Sequence, residues 1–255
     1  MWSGGNKTGG LRGRATDVYV SDTETIAVLG DGQPWRYESG GLGDGLAALC
    51  AHLRAQAAPR PVRVWLGASL CRPVHVPAIT GTRSRTERRR LAQALATAGS
   101  GLTPPCRVSI DTAIGADDVV AVVVEEQALS EIERALTMAR LRMRSIRPLW
   151  GEVLASALRV NPDLRAIGVF EGRSLTVLTG AQRAFASAQA LHPVQGVELA
   201  RAAFSRALVS KMVTSDKAVM IGLDWNAAAE RAEAPAIDGS VAFKRWLIDL
   251  QGGPL

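Results

Sequence analysis

The chain has 255 residues, 47% of them hydrophobic, with a formal net charge of +6 and a pI near 9.8. That length is ample for a packed core and fits one large domain or two small ones. The longest purely apolar run, Val119 to Val124, is far too short to cross a bilayer.

The basic balance is almost all arginine: four of the 30 basic residues are lysines (Lys7, Lys211, Lys217, Lys244). With the abundant Ala and Gly, this reads as a GC-rich coding sequence. The functional alternative is an acidic partner or a negatively charged membrane surface. The cysteines, Cys50, Cys71 and Cys106, are scattered, odd in number and set among apolar residues without a CxxC pair. That favours reduced, buried thiols over disulfides or zinc.

In chain order, Met1 to Ala15 is Gly-rich and carries Lys7, Arg12 and Arg14 without an apolar core, which reads as a flexible leader. Val18 to Leu29 is two short apolar strands about a polar turn, Ser21 to Thr25, and alternation continues through Gln33 to Glu38. Leu42 to Gln56 is an amphipathic helix. Strands follow at Val62 to Leu66 and Leu70 to Val76, then a helix at Arg85 to Ala98 with Ser84 or Thr82 as cap. Val108 to Thr112 and Val119 to Glu125 form a strand pair. Ala128 to Leu141 is a helix with Leu129, Ile132, Leu136 and Ala139 on one face. Arg142 to Arg147 is a short strand, and Trp150 to Leu158 a helix stopped by Asn161-Pro162. Ile167 to Leu178 then repeats the first meander about 149 positions later, with its turn at Glu171 to Ser174 and alternation through Gln182 to Ser187. A helix at Gly196 to Ser210, a strand at Ala218 to Leu223 and terminal helices at Asn226 to Ala232 and Val241 to Leu250 complete the chain. A meander feeding a helix, present twice, predicts two related halves facing each other.

Chemistry-bearing motifs are few. His52, His75 and His192 show no metal spacing and read as structural. No nucleophile elbow, phosphate-binding P-loop or paired catalytic carboxylates occur. Arg83 to Arg90 is the densest basic patch and sits at a helix start, where positive charge opposes the helix dipole. It reads either as a solvated helix face or as a contact for an acidic tail or lipid headgroups. Nucleic acid is disfavoured, because aromatic interleaving and docking motifs are missing. Trp65 and Trp150 read as core; Trp225 and Trp246 are candidates to cover the C-terminal sheet edge.

This order of elements resembles the actin-like ATPase superfamily, and most nearly the PilM- and GspL-type proteins of type IV pilus and type II secretion machines. The resemblance spans Asp17 to Val213. It is carried by Val74-His-Val-Pro77 before a charged stretch and helix, Val108-Ser-Ile-Asp111, Val119 to Val124 with its following helix, and the Met138 to Trp150 link. It implies an α/β fold of two actin-like (ribonuclease H-like) halves, each a mixed sheet with a meander followed by helices. The first half would span 16–160, with an inserted strand-pair and helix subdomain at about 61–148. A shortened second half would span 161–255. PilM-like proteins carry a further subdomain, and GspL-like ones continue into a membrane helix, so the chain is expected to be either a fragment or a short stand-alone form.

Active members of the superfamily place an Asp two residues before a Gly in both meander turns, followed by Ser or Thr. The Asp holds hydrated Mg²⁺, and the small residues let backbone amides approach phosphate. Here the turns read Ser21-Asp22-Thr23 and Phe170-Glu171-Gly172. Ser21 and Phe170 then stand at the Asp positions, with the Phe ring where a metal-bound water would sit. The first turn has no glycine, and Asp22 and Glu171 are carboxylates one register off. After the second helix, no Gly-Gly of the kind that approaches adenine in active members occurs before Gly252-Gly253. The resemblance therefore implies a non-catalytic protein with no cofactor and no metal. It would be a scaffold at the cytoplasmic face of a bacterial inner membrane, holding the cytoplasmic tail of a platform protein and a motor ATPase. Arg83, Arg85, Arg88, Arg89 and Arg90 are the candidate partner contacts. The alternatives are an active actin-like ATPase or small-molecule kinase, and a basic module binding nucleic acid or a membrane surface.

Overall fold

The structure is a computed structural model that describes residues 15–28, 34–56, 61–81, 84–110, 119–181, 184–223 and 245–248. The proposed leader before residue 15, Arg83, the 226–232 helix, Trp225 and Gly252-Gly253 lie outside those residues.

The first half opens with an antiparallel meander, β1 (Thr16–Val20), β2 (Glu24–Val28) and β3 (Pro34–Glu38), followed by α1 (Leu42–Arg54). Strand β4 (Val62–Leu66) joins β1 in parallel, and β8 (Met143–Pro148) joins β4 in parallel, giving the order β3-β2-β1-β4-β8. Between β4 and β8 runs a separate three-stranded sheet of β5 (Cys71–Val76), β7 (Val119–Glu125) and β6 (Cys106–Ile110), in the order β5-β7-β6. Helix α2 (Arg85–Ser100) covers it through Ala92 and Ala96. The Ser84 hydroxyl accepts the Glu87 N–H at 3.1 Å, so Ser84 is the cap of the two that the sequence offers. The part set apart from the first large sheet is thus Cys71 to Glu125, since β4 and β8 on either side belong to that sheet. Helix α3 (Glu126–Met138) returns to pack beside α1, and α4 (Leu149–Val160) leads into the second half.

The second half repeats the plan. Strands β9 (Ala166–Glu171), β10 (Ser174–Ala181) and β11 (Ala184–Leu191) form the meander, α5 (Gly196–Ser210) follows, and β12 (Ala218–Leu223) joins β9 in parallel. The order β11-β10-β9-β12-β13 matches the first sheet strand for strand. The fifth strand differs in direction: β13 (Arg245–Ile248) runs antiparallel to β12, whereas β8 is parallel to β4. The expected terminal helix over Val241 to Leu250 is therefore corrected, since its middle is a strand. The open side of β12 offers a ladder of hydrogen bonds, and the β-favouring Arg-Trp-Leu-Ile segment takes it.

Period-two alternation explains the packing of the second sheet. On β9, Ala166 and Phe170 face α5 and pack with Phe204, Leu175 and Met220. Ile167 and Val169 face the other way, into a cluster shared with Val18, Val64, Leu149 and Trp150 of the first half. Gly168 is small of necessity, because a Cβ there would meet the Phe204 ring at 3.0 Å. Trp65 and Trp150 are both buried, as the sequence suggests; the Trp150 indole N–H donates to the Cys71 carbonyl at 3.0 Å. Among the described residues, no helix is long and apolar enough to cross a membrane.

Candidate functional site

The two meander turns meet across the junction of the halves, and each is tied to the other by side chains. The first turn, Ser21-Asp22-Thr23, is closed by Ser21. Its hydroxyl accepts the Glu24 N–H at 3.0 Å and the Thr23 N–H at 3.3 Å, and donates to the Glu24 carbonyl at 3.1 Å. The Asp22 N–H goes to the Ser69 hydroxyl at 3.2 Å. Thus a Ser where the actin-like pattern has Asp is an internal cap for the turn.

The second turn, Gly172-Arg173, is a two-residue hairpin, with Gly172 at φ +55°. Alternation along β9 carries Glu171 to the same side as Ile167 and Val169, toward the first half. Its carboxylate accepts the Ala68 N–H at 3.0 Å and is fully buried. Gly172 lies so close to Glu24 that a Cβ would stand 2.6 Å from Oε1 of that carboxylate. Glu24 is held from the other side by Arg36, whose Nη2 lies 3.0 Å from Oε2. Burial pushes the Glu171 carboxyl up to about 8; the Ala68 N–H opposes this, and the charge of Glu24 adds to it. The Tyr19 phenol, packed against Gly67 beside both carboxylates, is raised well above its ordinary value, chiefly by burial and then by Glu171 and Glu24.

A third tie joins Asp22 to His192, with Oδ2 and Nε2 at 3.0 Å. The other imidazole nitrogen, Nδ1, lies 2.9 Å from the Ser174 hydroxyl and 3.1 Å from the Arg173 carbonyl. Ser174, His192 and Asp22 form a hydrogen-bonded chain of the residue types found in hydrolases. Ser174 is only 3% exposed, and Arg173 competes for the same nitrogen, so the chain presents no nucleophile to a substrate. It is a latch between the halves.

The structure therefore brings together Ser21, Asp22, Thr23, Glu171 and Gly172. It corrects the expected place of Phe170: the ring packs under α5 with Phe204 and Leu175, and Glu171 is the residue that faces the other turn. Reading β9 by parity from Ile167 and Val169 would have found this. His192 is the participant that the sequence reading left as merely structural, and its contact with Asp22 spans 170 positions with no local signal. Among the described residues, no group of three or more His, Cys, Asp or Glu side chains is arranged to hold a metal ion. All three cysteines are free thiols. The arginines stand elsewhere, on α2 of the three-stranded sheet, with Arg85, Arg89 and Arg90 exposed and Arg88 half-buried.

The fold is α/β, with two five-stranded sheets of one strand order, each led by a meander whose turn faces its counterpart. Solved structures of similar shape include the cytoplasmic domain of EpsL, an inner membrane component of the type II secretion system of Vibrio cholerae. It shares 15% identity over 69% of this chain and 70% of its own, with a TM-score of 0.44. The PilM–PilN type IV pilus biogenesis complex shares 16% over 78% of this chain and 66% of its own, with a TM-score of 0.47. A Bacteroides thetaiotaomicron protein of actin-like ATPase fold and unknown function shares 7% over 80% of each chain, with a TM-score of 0.48. No protein-family model and no curated protein matches the chain.

Proposed function

We propose that the chain is a non-catalytic scaffold of a bacterial inner-membrane pilus-assembly or type II secretion platform. In this role it works at the cytoplasmic face, holds the cytoplasmic tail of a membrane subunit, and has the motor ATPase as a second partner. The observation that carries the non-catalytic part is the fate of the turn amides. A phosphate cradle needs backbone N–H groups free to point at the ligand. Those of Asp22, Thr23, Glu24 and Ala68 are already taken by Ser69, Ser21 and Glu171. Asp22 and Glu24 stand beside the turns and oppose phosphate oxygens, while the buried Glu171 carboxyl takes the Ala68 N–H. The fold thus keeps the two-halved frame while its own side chains occupy the cleft. The platform role rests on the resemblance of the Val62 to Leu178 region, and the arginine-rich α2 supplies a charged surface for a protein partner.

The test is crosslinking in the source bacterium followed by purification of the tagged chain from membranes. The scaffold reading expects a membrane subunit with a short cytoplasmic tail, together with a secretion or pilus ATPase. Recovery of nucleic acid alone, released by moderate salt, would instead support the basic-module alternative.

A further inference from the structure

Among the described residues, the three-stranded sheet leaves one edge open beside the arginine-rich helix α2. Strand β6 is the last in the order β5-β7-β6, and among the described residues no strand pairs with its outer side. The Glu126 N–H donates to the Pro105 carbonyl at 2.9 Å. From that pair, antiparallel alternation puts the next ladder bonds at Arg107–Val124 and Ser109–Val122. The backbone N–H and C=O groups of Cys106, Val108 and Ile110 therefore point outward, away from β7.

A groove of about 630 Å³ runs along this edge, between Gln93, Thr97 and Ala98 of α2 and Cys106 and Val108 of β6. The short connection from α2 to β6 makes the strand run back along the helix. The Cys106 end lies by Ala98, and the Ile110 end lies toward the turn that carries Arg89 and Arg90, both exposed. Arg107 pairs with Glu126 at 3.5 Å near the other end. Among the described residues, unpaired positive charge is thus concentrated at the Arg89–Arg90 end of the groove, while the other end holds the Arg107–Glu126 ion pair. Positive charge in the first turns of α2 also opposes its dipole, a cost that an acidic ligand would relieve.

We propose that this groove takes an extended acidic segment of a partner protein as a fourth strand on β6, its acidic residues over Arg89 and Arg90. The proposal rests on the scaffold reading and assigns the tail a place on the molecule. Main-chain bonds to Cys106, Val108 and Ile110 supply the pairing, and the arginines select and steer the charge.

Fluorescence anisotropy with a labelled, alternating Glu–Val peptide tests it. Three probes serve as comparison: the Lys–Val counterpart, the Glu–Val peptide with its strand-pairing amides N-methylated, and equimolar phosphatidylglycerol–phosphatidylcholine vesicles. Binding is expected for the Glu–Val peptide alone. It should weaken about tenfold in R89E/R90E, whose exposed charges contribute little to stability, and a circular dichroism melt checks that this variant folds. Four results would overturn the proposal: no binding of the Glu–Val peptide, equal binding of the N-methylated peptide, no effect of R89E/R90E, or vesicle binding in place of peptide binding. If R89E/R90E still recovers the membrane subunit from crosslinked cells, the scaffold reading stands and the tail sits on another surface.

Discussion

Residues 1–160 expressed alone should yield insoluble or molten protein. The main core cluster does not end at the first half: Ile167, Val169, Leu178, Ile221 and Leu223 pack into it from the second sheet, opposite Val18, Val64, Leu149 and Trp150. Removing those five side chains forfeits burial worth about 2 kcal/mol each, on the order of 10 kcal/mol in all. That equals the whole net stability of an ordinary domain, roughly 5–15 kcal/mol. It also uncovers the side of the first half that packs against the second sheet. A well-dispersed amide NMR spectrum from the isolated half would show that the halves are separable, contrary to the shared core.

Replacing Glu171 by Gln should raise the melting temperature at pH 9 by on the order of 5 °C and leave it nearly unchanged at pH 5. The folded carboxyl titrates near 8, far above its ordinary 4.5. Between those values the native state holds a proton that the unfolded chain has released. Stability therefore falls as pH rises through that window, and the loss is complete above about 8. Gln keeps the acceptor for the Ala68 N–H and carries no charge to bury beside Glu24. The two proteins should agree at low pH, where Glu171 is neutral, and diverge as it ionises. Thermal melts across pH decide the matter. Parallel profiles for wild type and E171Q would mean that Glu171 is not held neutral between the turns.

The duplicated meander was legible because alternation is local: the apolar and polar spacing around Val18 and Ile167 is enough to draw both hairpins. The Ser84 cap of α2 is likewise encoded within one turn. Three features were not. The turn pattern of the actin-like proteins puts Phe170 in the cleft, whereas strand parity sends its ring under α5 and Glu171 into the junction. His192 meets Asp22 only because two halves fold face to face, and no stretch of sequence near either residue signals it. The strand at Arg245–Ile248 follows from an open edge on β12, a demand made by tertiary structure on a segment whose spacing also suits a helix. In each case a partner far along the chain decided the outcome.

Isothermal titration calorimetry with Mg-ATP tests the closed cleft most directly. Ser21 and Ser69 hold the amides of the first turn, Glu171 holds that of Ala68, and Asp22 is tied to His192. A nucleotide would have to break these contacts and enter beside the acidic side chains of Asp22 and Glu24. Heats no larger than dilution are expected. A single-site isotherm with a micromolar dissociation constant would contradict the closed cleft and return the chain to the class of working actin-like ATPases.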